Sequence, residues 1–226
     1  MPTLLSTKKL TPAQKHLLLN TGIGLVEYDA IGIDFPDLPK NIKLQKNLIF
    51  TSQNSVKAVL HLFTEESFLY HEIFCVGEKT TGLLKEAGFN VVECESYGKD
   101  LAEKIIENYS DRSFTFFCGK MRRDEIPELL KKNEVEFSEI LVYETLLKAK
   151  SFKSEFDGIL FFSPSGVKSF ALENQFLDTT AFCIGTTTAA EAKKYTNNIH
   201  IATKPTIENV IVGAVNNLNN RNNRPE

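Results

Sequence analysis

The sequence contains no tryptophan, only two methionines, and only four cysteines and four histidines among 226 residues. Cys75, Cys94, Cys118 and Cys183 show neither a CxxC pair nor Cys/His metal spacing, which sets aside zinc ribbons and dithiol redox motifs. Three of them sit in apolar strand-like runs, where free cysteine behaves as a small buried hydrophobe, as expected of a reducing compartment. No apolar run approaches the roughly 20 residues that a membrane helix needs. The opening Met1-Pro-Thr-Leu-Leu-Ser-Thr-Lys8 lacks a basic start followed by a long apolar region. The expectation is a soluble, cytoplasmic protein without a membrane partner.

Positive charge is not in excess either. Lys and Arg number 26 against 29 Asp and Glu, a net charge of −3, which argues against a general nucleic-acid binder. Neither GxGxxG nor GxxxxGK[ST] occurs, which disfavours a dinucleotide or ATP enzyme and, with it, a nucleotide-using transferase. GxSxG and HExxH are absent as well. His16, His61, His71 and His200 fall in unrelated contexts and are expected at the surface. A protein with these gaps either binds without chemistry or does chemistry that needs little beyond holding a reactive substrate in one shape.

What the chain does have is repetition. Phe50-Thr-Ser-Gln-Asn-Ser-Val-Lys57 and Phe161-Phe-Ser-Pro-Ser-Gly-Val-Lys168 read almost alike. Each follows an apolar run and precedes a helix-like stretch. A second pair follows, Phe74-Cys-Val-Gly-Glu-Lys-Thr-Thr81 and Phe182-Cys-Ile-Gly-Thr-Thr-Thr-Ala189. Strand-length apolar runs are expected at 3–7, 24–31, 47–52, 72–77, 90–95, 113–118, 136–147, 157–163, 181–185 and 198–203. Between most of them apolar residues recur at three- and four-residue spacing: Val56, Val59, Leu60 and Phe63; Leu83, Leu84 and Ala87, ended by Gly88; Ile126, Leu129 and Leu130. This alternation predicts an α/β fold, with parallel sheets flanked by helices.

Two segments differ from the rest. Glu27–Asp34 and Glu139–Leu146 are long, alternate polar and apolar residues, and enter no clear helix. Alternation of that kind suits a half-exposed ribbon. They are expected to pair antiparallel, as a ladder over 27–35 and 139–147 that joins two similar domains. One domain would combine 1–30 with 148–226, and the other would be 36–140. The tail 216–226 has too little apolar content and is expected to be unfolded.

The repeated turns carry the candidate chemistry. Ser52, Asn54, Ser163, Ser165 and Gly166 sit where a strand ends and a helix begins. Ser and Asn cap such helices, and the helix N-termini also favour anions. The loops from Gly77 and Gly185 repeat the logic, with hydroxyls and amides expected to face outward at the strands' carboxyl ends, where open α/β sheets bind ligands. Lys8-Lys9 and Lys120-Met-Arg-Arg123 occupy matching strand-to-helix turns. Cations, hydroxyls and amides together suit a polycarboxylate.

These residues resemble the uroporphyrinogen-III synthase family over nearly the whole chain. The resemblance rests on the Phe50–Val56 turn, Val76-Gly77 with Thr80, Val142-Tyr143-Glu-Thr145, Phe162-Ser-Pro-Ser-Gly166, Ile184-Gly185 with Thr187 and Thr188, and Ala202-Thr-Lys-Pro-Thr-Ile207. Their order and spacing are more specific than any one of them. The resemblance implies two α/β domains joined by a two-stranded ladder. It implies a substrate, hydroxymethylbilane, closed to uroporphyrinogen III with inversion of the last ring and loss of water, without a cofactor. Nothing in the sequence suggests an obligate interface, so a monomer is expected, with transient contact with hydroxymethylbilane synthase.

By the same resemblance Tyr143 is the candidate hydrogen-bond donor to the leaving hydroxyl. Thr80, Ser165, Thr187 and Thr188 match positions that would hold carboxylates. Glu78 and Lys79 depart from the family pattern: Lys79 would add a carboxylate contact, and Glu78 would have to point away. The reading from a different class is a two-lobed small-anion binding protein that closes on its ligand without reaction.

Overall fold

The computed structural model describes all residues except 40–41, 64–67, 69, 123 and 223–226. In chain order the elements are β1 (Thr3–Ser6), α1 (Pro12–His16), β2 (Gly24–Glu27), β3 (Ile31–Asp34), β4 (Asn47–Phe50), α2 (Gln53–Leu62), β5 (Glu72–Val76) and α3 (Glu78–Glu86). Then come β6 (Val91–Glu95), α4 (Gly98–Asn108), β7 (Phe114–Gly119), α5 (Glu125–Lys132) and β8 (Phe137–Leu147). The last are β9 (Gly158–Phe161), α6 (Pro164–Ala171), β10 (Thr180–Cys183), α7 (Thr186–Ala192), β11 (Ile199–Ile201) and α8 (Ile207–Asn222). They fall into two compact units, Met1–Gly32 with Leu146–Glu226, and Ile33–Thr145.

The first unit holds a five-stranded sheet in the order β11-β10-β9-β1-β2, with every neighbouring pair parallel. Successive residues of a strand face opposite sides, so the sheet feeds two cores. Leu4, Leu160 and Phe182 pack on one face with Val210, Ile211 and Ala214 of α8. Leu5, Ile159, Phe161, Ala181 and Cys183 pack on the other with residues of α6 and α7. Burial on both faces is why these strands read as unbroken apolar runs.

The second unit carries a six-stranded sheet in the order β3-β8-β7-β4-β5-β6, and the pairs β8-β7, β7-β4, β4-β5 and β5-β6 are parallel. Leu48, Phe50, Ile73, Cys75 and Phe117 pack under α2 and α3. Ile49, Phe74, Phe116 and Cys118 pack under α4 and α5.

Two expectations are corrected here. The segment Glu27–Asp34 is not one ribbon. Its strand breaks after Glu27 and resumes at Ile31, and the two pieces belong to different sheets. Beyond Glu27 the amides of Tyr28 and Ala30 still donate to the carbonyls of Ser6 and Thr7, both at 3.1 Å. Buried Tyr28 turns its ring edge-on to Phe152, centroids 5.1 Å apart. The alternation continues across the break, so it cannot reveal it. The second correction concerns the tail. α8 runs on through Asn222 because Leu218 extends the buried face of Ile207, Val210, Ile211 and Ala214 at helical spacing. Residues 223–226 of that expectation lie outside the described residues.

Candidate functional site

In the second unit β4, β5 and β6 succeed one another toward one edge, while β7 and β8 lie on the opposite side of β4. The order reverses between β4 and β7. Ligands of open α/β sheets bind in the crevice outside the carboxyl ends of such a pair. A cavity of about 380 Å³ lies there, lined by Thr51 and Ser52 after β4, by Gly119, Met121 and Arg122 at and after β7, and by Tyr143 of β8.

Ser52 caps α2 from an extended backbone, and its Oγ accepts the amide N–H of Ser55 at 3.1 Å. The Ser55 hydroxyl donates to the carbonyl of Ser52 at 2.7 Å. The Ser52 proton is then directed at the Tyr143 phenol oxygen, 3.1 Å away. A phenol is one donor as well as an acceptor. With its oxygen engaged by Ser52, Tyr143 keeps its own proton to donate into the cavity.

A register shift aims the ring. Phe117 lies opposite Ile140 and Cys118 opposite Leu141, but Gly119 lies opposite Tyr143. Val142 is the extra residue and is fully buried. An unbroken register would place Val142 beside Gly119 and turn the tyrosine to the other face. A bulge of this kind re-aims a side chain. Gly119 makes room: a Cβ there would come within 2.4 Å of the ring's Cζ and 2.8 Å of its hydroxyl.

Arg122 is the cavity's cation among the described residues, and it is already occupied. Its Nε and Nη2 donate to the Glu139 carboxylate at 3.0 and 2.6 Å, and Nη1 pairs with Asp124. The Glu139 hydrogen bonds raise the guanidinium's pKa further, so it stays charged. Burial and then the Glu139 charge push the neighbouring Cys118 thiol up to about 11. The pairing ties the loop after β7 to β8 on either side of Gly119 and Tyr143. Within the basic loop the sequence points to Lys120, whereas the cavity is lined by Arg122. Arg123 lies outside the described residues.

The candidates sort by helical position. Ser52, Gly77, Ser163 and Gly185 are the N-caps of α2, α3, α6 and α7. Two residues on, at Asn54, Lys79, Ser165 and Thr187, the side chains are partly or fully exposed. Three residues on, Ser55, Thr80, Gly166 and Thr188 are all buried. Each helix leaves a strand and lies back on its sheet, so the third residue rotates beneath it. Thr80, at 5% exposed, and Thr188, at 1%, therefore do not face outward as expected. Glu78 does face solvent beside exposed Lys79.

Lys120 is exposed and its Nζ pairs with Glu144 at 2.7 Å, away from the cavity lining. In the first unit Ser163 repeats the cap of Ser52, accepting the amide of Gly166 at 3.1 Å. That sheet reverses order between β1 and β9. There the buried Thr7 hydroxyl donates to the Leu160 carbonyl at 2.7 Å. The basic turn is partly committed: Lys9 pairs with Asp29 at 3.8 Å, and Leu10 donates its amide to Glu27. Of the candidates, the cavity brings Ser52 and Tyr143 together; Asn54, Lys79, Thr80 and Lys120 lie outside its lining. Among the described residues, no group of three or more His, Cys, Asp or Glu could hold a metal ion. Among them, too, no helix is long and apolar enough to cross a membrane.

Comparison with known proteins agrees on one family. A family model described as uroporphyrinogen-III synthase HemD matches residues 17–211. A porphyrin biosynthesis protein HemD of Ruminiclostridium josui is 27% identical over 222 residues, covering 86% of this chain but 44% of that protein. The chain thus spans about half the length of that curated relative. The crystal structure of uroporphyrinogen-III synthetase from Helicobacter pylori superposes with a TM-score of 0.74 at 20% identity, covering 96% of this chain and 99% of that one. A mutant uroporphyrinogen III synthase of Thermus thermophilus gives 0.67 at 12% identity, covering 97% and 100%. At these identities the structures speak for the α/β fold.

Proposed function

The chain belongs to the uroporphyrinogen-III synthase family, and from that premise we propose that it closes hydroxymethylbilane to uroporphyrinogen III, inverting the last ring and releasing water, in tetrapyrrole (haem) biosynthesis. The observation that carries the proposal is the Tyr143 phenol, held as a donor by Ser52 in a cavity at the order reversal of a parallel sheet.

The chemistry asks for little more. The bilane's terminal hydroxymethyl leaves as water once its oxygen is protonated, and hydrogen bonding from Tyr143 assists that departure. The azafulvene left behind reacts readily, and its spontaneous ring closure gives the uninverted type I isomer. Formation of type III requires the substituted carbon of the last ring to attack instead, giving a spiro intermediate that reopens and closes at the free position. Choosing between the two attacks is a matter of orientation, which contributes several kcal/mol without a strong acid. A phenol, neutral and a single donor, suits a group that assists rather than protonates fully.

On this reading Ser52, Asn54, Lys79, Ser163, Ser165, Thr187 and Lys120 meet the substrate's carboxylates, through side chains or the amides of their turns. Gly166 contributes through backbone, and Thr80 and Thr188 hold their turns from beneath. The enzyme works in the cytoplasm as a monomer without a cofactor, in transient contact with hydroxymethylbilane synthase. The two α/β domains are joined by β3 and β8 as an antiparallel ladder. In support, the boundary Gly32/Ile33 falls within β3 and Thr145/Leu146 within β8.

The test is isomer analysis. Freshly generated hydroxymethylbilane is supplied, the products are oxidised to porphyrins, and the isomers are resolved. An excess of type III is expected. Only type I would remove the catalytic reading and leave an anion-binding protein.

A further inference from the structure

Two cysteines lie outside the chemistry above. Cys75 of β5 and Cys94 of β6 are register partners on neighbouring parallel strands. A shift in register puts them there: Ile73 lies opposite Val91 but Phe74 opposite Glu93, so Val92 is passed over. Without that shift Cys75 would face Glu93. Neighbouring strands run about 4.8 Å apart, within the roughly 4.4–6.8 Å between Cα atoms that a disulfide spans. Register partners project from the same face of a sheet.

Thr81 of α3 sits over both thiols. Its Oγ1 is 3.2 Å from the Cys75 sulfur and 2.8 Å from the Cys94 sulfur. The threonine's one proton goes to the Gly77 carbonyl, 3.1 Å away. Its two lone pairs then accept from the two thiols. One hydroxyl thus aims both S–H groups at a single point. Access is unequal: Cys94 is exposed, whereas Cys75 is fully buried and its thiol is pushed up to about 11 by burial. Cys118 and Cys183 instead hydrogen-bond to the carbonyls of Ile140 and Ala181.

We propose that Cys75 and Cys94 form a modification site, a paired dithiol that a peroxide converts to a disulfide between β5 and β6. The Cys94 thiolate attacks one peroxide oxygen, the O–O bond breaks, and Cys94 becomes a sulfenic acid with release of water. The Cys75 sulfur then attacks the Cys94 sulfur, the S–O bond breaks, and a second water leaves. Two thiols lose two electrons to one hydrogen peroxide and give one disulfide and two waters. A small thiol reductant reverses the change by exchange. Burial of Cys75 shields it from oxidant, so the exposed partner reacts first. The site is independent of Tyr143 and of the proposed reaction.

The reduced full chain is treated with hydrogen peroxide at near-stoichiometric amounts, alkylated, digested without reduction and read by mass spectrometry. The expected product links the Cys75 and Cys94 peptides within one chain, leaves Cys118 and Cys183 alkylated, and disappears with dithiothreitol. Cys94→Ser, at an exposed position, is expected to abolish the link and leave Cys75 unoxidised. Cys75→Ala is expected to leave a Cys94 sulfenic acid that dimedone traps. A wild-type chain whose Cys94 advances to sulfinic acid while Cys75 stays a free thiol would overturn the proposal. So would a Cys94 disulfide between two chains.

Discussion

Gly119 and Tyr143 face each other across neighbouring strands so closely that no side chain fits between them. A Cβ on Gly119 would stand 2.4 Å from the tyrosine's Cζ. The register shift at Val142 and the missing Cβ are two halves of one device, and together they set the phenol in the cavity. Gly119→Ala is expected to displace the ring and cost about 1–3 kcal/mol, the usual range for overpacking. In a Tyr143→Ala background the same change should cost little, because the ring it strikes is gone. Urea denaturation of the four proteins measures the coupling. Equal costs in both backgrounds would refute the device.

Tyr143→Phe keeps the ring and removes the donor. Stability should change by less than about 1 kcal/mol, since the lost hydrogen bond is an ordinary neutral one. Formation of the type III isomer should slow at least about tenfold, the loss expected of a modest hydrogen-bonding catalyst. Unchanged turnover takes Tyr143 out of the mechanism.

Ser52 and Ser163 cap their helices identically, each accepting an amide at 3.1 Å, but Ser52 alone of the two is recorded donating to a tyrosine. Ser52→Ala and Ser163→Ala should each cost about 1 kcal/mol for the lost cap. Their turnover should separate them. Combined with Tyr143→Phe, the Ser52 change should add little further loss, and the Ser163 change should add its full effect. Full additivity for both would mean that Ser52 serves its helix alone.

Much of this architecture is readable from the chain because burial on both faces writes itself into the strands. Asn47–Phe50 and Gly158–Phe161 are wholly buried and appear as apolar runs. The caps at Ser52 and Ser163 are readable for a similar reason, as small hydroxyl residues between a run and a helical pattern. What alternation cannot show is which sheet a strand joins, so the division of Glu27–Asp34 between two sheets stays hidden. A one-residue bulge leaves no mark in composition, and without it nothing pairs Gly119 with Tyr143 or Cys75 with Cys94. The burial of Thr80 and Thr188 was accessible in principle. Each stands three residues after a cap glycine, as buried Ser55 stands after Ser52.

Glu72 gives the second unit a titratable brace. Its carboxylate receives Lys46 at 3.0 Å and Arg112 at 2.6 Å, and Arg112 also lies over the Tyr109 ring. The Lys46 hydrogen bond, then the other charges, hold the carboxyl below its usual value of 4.5 against the opposing effect of burial. A depressed carboxyl contributes stability above its unfolded pKa and loses it as pH falls through the folded one. Glu72→Gln should therefore lower stability at pH 7, by no more than about 1 kcal/mol for a pair this open to water. The gap to the unmodified protein should close below pH 4.5, and urea midpoints across that range measure it. A gap that widens in acid would reverse the assigned sign.

Leu218 decides whether the polar C-terminal stretch is helix or loose end. It is 3% exposed and lies against the cluster of Leu4, Leu160 and Phe182 on one face of the five-stranded sheet. The residues around it, Asn216, Asn217, Asn219 and Asn220, are poor helix formers and contribute little by propensity. The burial of one leucine must therefore hold the last turns. Leu218→Ala is expected to cost about 2–4 kcal/mol, the range for emptying a leucine site, and to reduce helical circular dichroism beyond what one residue accounts for. Leu218→Met, which refills the volume, should recover most of both. A loss below about 0.5 kcal/mol, the scale of surface substitutions, would mean that α8 ends its structural role at Ala214.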